Sequence, residues 1–411
     1  MTAALHQPTS PTASPVATRR LHVSTPSLQL STTPAAAVFR TVRLRGPLFR
    51  DAVATATGLS SATVNRQVGA LLAAGLLRER ADLSPAGAIG RPRLPVEVNH
   101  TAFVTVGLHI GFKVTVVTAH DLHGRIIGGL QLTTVPDPGA SVPEILRAIG
   151  LRTKRFLARW ASRRVLWAGV AIGGRVHPNG RVDHPRLGWT DAPVGEVLSA
   201  SLGLPVSVAP HVEAMAAAEL MLTPETSPRE STLYFYAREM VGVSLTINGA
   251  VHTPTSGPGT LGHLPTGGTT LLDPRRTGRL EAAVGDTGLV DAAVAVGLAV
   301  TDIAQLHEQA AAGQPTAVAL LSERALVLGR AVGLISDIIN PDHIILGGQA
   351  FTDAPQTLRE VAAAINTHSA APQRDVRVTA AGEHVQQQAA GAVSLAAVFS
   401  EPLAALRHTA L

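Results

Sequence analysis

The residues best placed to do chemistry in this 411-residue sequence run from Ser60 to Gln67. Ser60, Ser61, Ala62, Thr63, Asn65, Arg66 and Gln67 put hydroxyl, amide and guanidinium groups into one short run, and Arg91 and Arg93 follow. Such groups read base edges and phosphates when a helix presents them to a duplex. A second candidate is His177-Pro178-Asn179-Gly180-Arg181-Val182-Asp183-His184, which offers two histidines and a carboxylate. Pro-Asn-Gly is a turn signature, so this stretch reads as a solvated hairpin rather than a metal site. The chain has no cysteine, which excludes disulfides and thiolate zinc sites.

The first group needs two helices and a wing to position it. Ala54 is small where two helices must cross, and Gly58 follows where the turn needs a positive φ. Ser60 is suited to cap the next helix. Val64, Val68, Leu71 and Leu72 then fall on one stripe at helical spacing, leaving Ser61, Ala62, Thr63, Asn65, Arg66 and Gln67 facing outward. Phe49 departs from the pattern, because Ser or Thr is commoner before the first helix of such a pair. Gly75 ends the second helix, Leu76-Leu77 opens a strand, and Arg91-Pro92-Arg93 returns toward Val96 and Val98. This is a winged hairpin whose arginines, Arg91 and Arg93, can reach phosphates or the minor groove. Residues 1–100 carry 11 arginines against Asp51, Glu79, Asp82 and Glu97, a local net charge of +7 in a chain of +5 overall. The basic excess belongs to the segment with the motif, as expected of a polyanion binder.

Residues 1–33 are rich in Pro, Ser and Thr and read as disordered. Their acid-free composition resembles a transit peptide, but no secretory apolar core opens the chain and no apolar run is long enough to span a bilayer. A cytoplasmic protein is the expectation. From residue 101 strands alternate with helices: 102–110, 114–119 and 125–129 as a meander, helix 142–160, and a buried strand 165–172. The plan recurs with strands 232–237 and 242–247 and the turn Asn248-Gly249, suggesting a duplicated lobe with a ligand cleft between the copies. Helices over 287–340, strand 343–346 and a last helix 386–399 complete it.

An ordered series of altered motifs resembles the ROK family (repressors, open reading frames, sugar kinases), in its regulator branch, over about residues 36–405. The family's Asp-Ile-Gly-Gly-Thr phosphate turn corresponds to His109-Ile110-Gly111-Phe112-Lys113. Its Pro-Gly turn corresponds to Gly173-Gly174, and its sugar-side segment to Gly188-Trp189. The catalytic Asp of Glu-Asn-Asp-Ala-Asn falls at His211 and the following Asn at Glu213. The second phosphate loop, rich in glycine in the family, reads Arg238-Glu239-Met240-Val241-Gly242-Val243. Gly-Glu-x-Gly-His becomes Gly259-Thr260-Leu261-Gly262-His263, keeping His263 but losing the sugar-binding Glu. The zinc cysteines give way to a loop from Leu271 to Glu281, with the terminal Glu retained. Ile344-Ile345-Leu346-Gly347-Gly348 matches the late strand and glycine turn, read here as strand-to-helix geometry.

The resemblance implies an α/β protein: a winged helix-turn-helix (35–98, after a tail 1–34) and a two-lobed actin-like, ribonuclease-H-like domain of sugar-kinase type (99–411). Lobe 1 is expected over about 99–209 plus the helix at about 386–405, and lobe 2 over about 210–385. It also implies a transcriptional repressor binding a palindromic double-stranded operator as a homodimer or higher homo-oligomer, with a sugar or sugar derivative as effector or, as a variant, with no ligand. Trp189, His211, Glu213, His263 and Glu281 are the ligand-site candidates. The lost motifs argue against catalysis, and no metal and no cofactor is expected. Two alternatives are a sugar kinase with an appended DNA module, using His211 as base, and an oligomeric scaffold that binds DNA without sequence preference.

Overall fold

The computed structural model describes residues 22–83, 93–135, 137–223, 229–370 and 375–407. After the short strand Val23–Ser24 come three helices: Pro34–Arg45, Arg50–Thr57 and Ser61–Ala73. Thr33 caps the first through its side chain, Gly58 ends the second at φ 70°, and Ser60 caps the third. Phe49 makes no side-chain cap for the second helix. The antiparallel pair Leu77–Glu79 and Val96–Val98 forms the base of the wing. Val38, Phe39, Val53, Val64, Val68 and Leu71 pack together, each worth about 1.5–3 kcal/mol on full burial. Leu72 is only partly buried at the edge of this cluster. Phe103, Leu166, Leu395 and Leu406 from the later chain join the same cluster, so the helical segment is not packed as a free-standing unit.

The first large sheet has the order Val23–Ser24, Val206–Pro210, Arg164–Ile172, Phe103–Ile110, Val114–His120, Ile126–Thr133. Its inner strands are buried on both faces, as sheets covered by helices on both sides require. Helices Val142–Leu157 and Val194–Leu202 cover one face. The helix Val385–Ser400 covers the other, lying so close at Gly107 and Gly169 that a side chain there would meet its backbone. Thr105 and Ser394 hydrogen-bond across this contact at 2.8 Å. The second sheet has the order Ala250–Val251, Val241–Ile247, Thr232–Ala237, His343–Gly347, Asp375–Val378, with Gly259–Thr260 paired to Val241–Ile247. Helices Asp286–Ala295, Ile303–Ala311, Pro315–Ile339 and Leu358–His368 pack on it.

Several expectations need correction. Residues 22–33 are ordered: Val23–Ser24 adds a parallel strand beside Val206–Ser207, Leu30 N–H donates to Gly249 C=O at 2.8 Å, and Leu28 is buried. The reason is a slot whose walls are Gly180 and Gly195, where any Cβ would collide with the Val23 side chain. Residues 1–21 lie outside the described residues. The third strand of the meander is Ile126–Thr133 rather than 125–129, and the helix expected over 142–160 gives way to a 3-10 turn after Leu157. The helix His211–Leu222, expected to open the second lobe, lies between the two sheets and shares a core with Ala171 and Ala209 of one and Tyr234 and Ile345 of the other.

Candidate functional site

The Ser61–Ala73 helix exposes the side chains that its sequence pattern assigned to the outside. Ser60 Oγ accepts from the Thr63 N–H at 3.2 Å, which satisfies an otherwise orphan donor of the first turn. Ser60, Ser61, Ala62, Asn65 and Arg66 are exposed, and Thr63 and Gln67 are half-buried. Asn65 Oδ1 lies at the long distance of 3.4 Å from the Arg50 guanidinium. Among the described residues Arg66 makes no ion pair.

The arginines divide by role. Arg93 pairs with Asp51 at 2.7 Å, both well exposed, and Arg91 lies outside the described residues. Arg78 and Arg80 pair with Glu97, and Arg80 also with Asp82. Arg43 departs from the surface altogether. It is 7 % exposed, donates to the Met221 carbonyl at 2.5 Å and the His123 carbonyl at 3.2 Å, and sits 4.4 Å over the Phe399 ring. Burial, and then the charge of Arg40, pulls it down to about 10, so it stays cationic at neutral pH. Counted by charge alone Arg43 looks like part of a nucleic-acid footprint. Its Val-Arg-Leu surroundings give no sequence signal of the long-range carbonyls it binds.

The cleft between the sheets starts from two strand-end turns. His109 ends one inner strand and is 4 % exposed; its ring stacks on His211 at a centroid distance of 5.8 Å. His211, the first residue of the helix between the sheets, also meets Tyr236 at 5.3 Å and places Nε2 3.1 Å from Met240 Sδ. Burial, with the neighbouring His211 second, lowers His109 to about 3. Burial, then His184, lowers His211 to about 4. Both rings are therefore neutral near pH 7, and a group of basicity near 4 is poorly matched to general-base work there. Glu213 is 2 % exposed and burial pushes it up to about 7.

Nearer the surface the lobes meet through side chains. The Arg186 guanidinium donates to Glu239 at 2.6 Å and lies 5.2 Å over the Phe112 ring. The other Glu239 oxygen accepts from the Thr287 N–H at 3.0 Å, in the first turn of Asp286–Ala295. A cavity of about 420 Å3 opens beside them, lined among others by His263, Arg279, Glu281 and Thr287. Of the sequence-stated ligand candidates, His263 and Glu281 come together here, His263 exposed and Glu281 half-buried. Trp189, His211 and Glu213 do not line this cavity; Trp189 is buried in the lobe core with its ring 6.5 Å from that of His184. Arg186 was missed by sequence reasoning. The signal was available as a pair of charges, Arg186 beside Gly188-Trp189 and Glu239 in the altered glycine loop.

The loop before Glu281 is organised by carboxylates. Asp273, at φ 55°, accepts from Thr277 Oγ1 at 3.1 Å and from the Gly278 N–H at 2.7 Å, while Glu323 accepts from the Leu271 N–H at 2.8 Å. In the 177–184 hairpin His177 Nε2 bonds Asp183 at 2.8 Å, and Asn179 Oδ1 accepts from the Arg181 N–H at 3.1 Å, as a turn requires. Among the described residues no cluster of three His, Asp or Glu side chains could hold a metal ion. Gly348, at φ 94°, turns the strand His343–Gly347 into the helix Gln349–Thr352.

The model of the ROK family matches residues 105–398. The chain belongs to the ROK family. A Mycobacterium tuberculosis protein named as a transcriptional regulator is 50 % identical over 403 residues, covering 94 % of this chain and 91 % of the relative. The DNA-binding transcriptional repressor Mlc of Escherichia coli is 23 % identical over 347 residues, covering 78 % and 81 %. The crystal structure of a ROK family transcriptional regulator homologous to Escherichia coli Mlc superposes with a TM-score of 0.75 at 19 % identity, over 92 % of this chain and 98 % of that one. A ROK family glucokinase of Streptomyces griseus, in complex with glucose and AMPPNP, superposes with a TM-score of 0.59 at 20 % identity, over 71 % and 99 %. The fold is thus the two-lobed ROK fold of sugar-kinase type preceded by a helix-turn-helix. Among the described residues no helix is long and apolar enough to cross a membrane.

Proposed function

We propose that this ROK protein is a DNA-binding transcriptional regulator, acting as a repressor, whose two-lobed domain senses an effector and does not transfer phosphate. One observation carries the reading: the N-terminal face of the Ser61–Ala73 helix presents Ser61, Ala62, Asn65 and Arg66 to solvent over a buried Val64, Val68 and Leu71. That is how a recognition helix offers side chains to the major groove. The 50 % identical mycobacterial relative supports the same reading by its name. The neutral His109–His211 stack, in the places of the family's two catalytic-centre carboxylates, supports a cleft without kinase chemistry. Phosphoryl transfer depends on placed charge, and these groups supply none at pH 7.

The protein acts in the cytoplasm as a homodimer, with two recognition helices about 34 Å apart on a palindromic operator. Ser60, Ser61, Ala62, Thr63, Asn65, Arg66 and Gln67 read bases and Arg91 and Arg93 reach the backbone, Arg93 by exchanging Asp51 for a phosphate. His263 and Glu281 contact a sugar-like effector. Trp189 and Glu213 support the walls of the cleft rather than touch the ligand. Arg43 couples the parts: it ties the helix Pro34–Arg45 to the far end of the helix that begins at His211. An effector that prefers one lobe arrangement thereby shifts the reader.

The test compares Asn65→Ala and Arg66→Ala with Arg93→Ala in binding to operator and scrambled duplexes. The helix changes are expected to remove about 1–3 kcal/mol of discrimination per lost base contact, and the wing change to weaken both duplexes alike. Equal behaviour of the two sets would overturn the assignment.

A further inference from the structure

The Glu239 carboxylate occupies a place built for an anion. One oxygen takes the Arg186 guanidinium at 2.6 Å and the Thr287 hydroxyl, and the other takes the Thr287 backbone N–H at 3.0 Å. A guanidinium, a hydroxyl and an N–H in the first turn of a ten-residue helix are the donors that recognise phosphate and carboxylate groups. The donors come from both lobes, Arg186 from the segment after Val182–His184 and Thr287 from Asp286–Ala295. Glu239 itself stands on the turn between Thr232–Ala237 and Val241–Ile247. The chain has therefore supplied its own anion to this place, and Phe112 closes it from the other side by stacking under Arg186.

Beside this internal anion lies the cavity of about 420 Å3. Arg279 on its wall makes no ion pair among the described residues, whereas Arg275 is engaged by Asp291 at 2.9 Å and Asp273 by its own loop. His263 and Glu281 supply hydrogen-bonding groups for hydroxyls on the same wall. Burial raises the Glu239 carboxyl, but the bonds from Thr287 and Arg186 outweigh it and hold the group below its ordinary value, so it is ionised at neutral pH. The pair is part-exposed, Arg186 at 41 % and Glu239 at 27 %. A pair in that setting contributes little to stability, so a ligand can displace it.

We propose that the cleft takes a small polyol bearing an anionic group, a phosphate or a carboxylate, and that this group replaces Glu239 between Arg186 and Thr287. Glu239, released and repelled by the new charge, withdraws with its turn, and the ion pair that joins the lobes is exchanged for a ligand bridge. Arg279 faces the remaining charge, and His263 and Glu281 take the hydroxyls. The inference rests on the reading of the cleft as an effector site and adds the charge of the effector and the residue it competes with.

Calorimetric titration of the full chain with glucose 6-phosphate, gluconate, glucose and inorganic phosphate tests it, repeated on Glu239→Gln and Arg186→Gln. Glu239→Gln removes the competing charge at nearly constant shape, and is expected to tighten the anionic probes by about tenfold or more. Arg186→Gln is expected to weaken them by about tenfold or more, with Arg186→Lys restoring part of the loss. Glucose 6-phosphate responding without gluconate assigns the group as phosphate, and the reverse as carboxylate. Inorganic phosphate binding to Glu239→Gln and not to Arg186→Gln supports the anion pocket by itself. Glucose binding equally to all proteins, with no anion preferred, overturns the exchange while leaving an effector site. Silence from every anionic probe on Glu239→Gln also overturns it, and the effector reading falls with it only if a panel of neutral sugars leaves the melting temperature unmoved as well.

Discussion

The Ser61–Ala73 helix and the floor of the inter-lobe cleft treat polar side chains in opposite ways. On the helix Ser61, Asn65 and Arg66 stand in solvent with few internal partners. In the cleft His109 and His211 stack on each other, Arg186 holds Glu239, and Glu213 is buried. Polar groups that face outward without partners are available to an incoming molecule, and desolvating them is rewarded only when that molecule arrives. Polar groups that have found each other or been buried neutral are poor reagents for charge-driven catalysis. The difference is one of partners: the helix holds its polar groups toward solvent, while the described polar groups of the cleft are largely engaged with one another or buried.

The largest effect that would break this comparison lies at the joint. Arg43→Met keeps much of the packing but leaves the Met221 and His123 carbonyls without their cationic donor. It is expected to cost about 3 kcal/mol in urea denaturation, with loss of effector response in DNA binding. Unchanged stability would mean that Arg43 is not the tie between reader and cleft. Next comes Glu213. Burial raises its carboxyl from 4.5 to about 7. The folded chain therefore holds this proton more tightly than the unfolded chain. The resulting stability is complete below about pH 4.5 and is lost as pH rises through about 7. Glu213→Gln is expected to gain roughly 1–3 kcal/mol relative to wild type at pH 8, and to show no gain near pH 4.5. Denaturation curves at the two pH values check it. The smallest effect is Ser60→Ala, which removes the cap on Thr63 N–H and is expected to cost about 1 kcal/mol, read as weaker DNA binding with unchanged effector affinity.

Much of the reader was legible because its determinants are local. Gly58 at positive φ, Ser60 as a cap and the Val64, Val68, Leu71 stripe each act within a turn or two of chain. The cleft was legible as an order of motifs, and His263 and Glu281 line one cavity, whereas the sequence candidates Trp189, His211 and Glu213 do not line it. What decides that is tertiary: Trp189 fills the lobe core, and His211 finds His109 on a strand about a hundred residues earlier. The strap from His22 to Thr33 looks disordered in sequence because its composition is polar and its partners are remote. Val23 is ordered by the glycine slot at 180 and 195, and no local propensity reports a slot. Arg43 and Arg186 were hidden for a related reason. A charge in a sequence carries sign but not direction.

The most direct test of the central claim is selection of binding sites by the full-length protein from a random duplex pool, run beside an Asn65→Ala, Arg66→Ala double variant. The account predicts an enriched inverted repeat for the wild type, with half-sites about one helical turn apart, and no enrichment for the variant. Binding without enrichment, governed by salt concentration alone and unchanged in the variant, would contradict it.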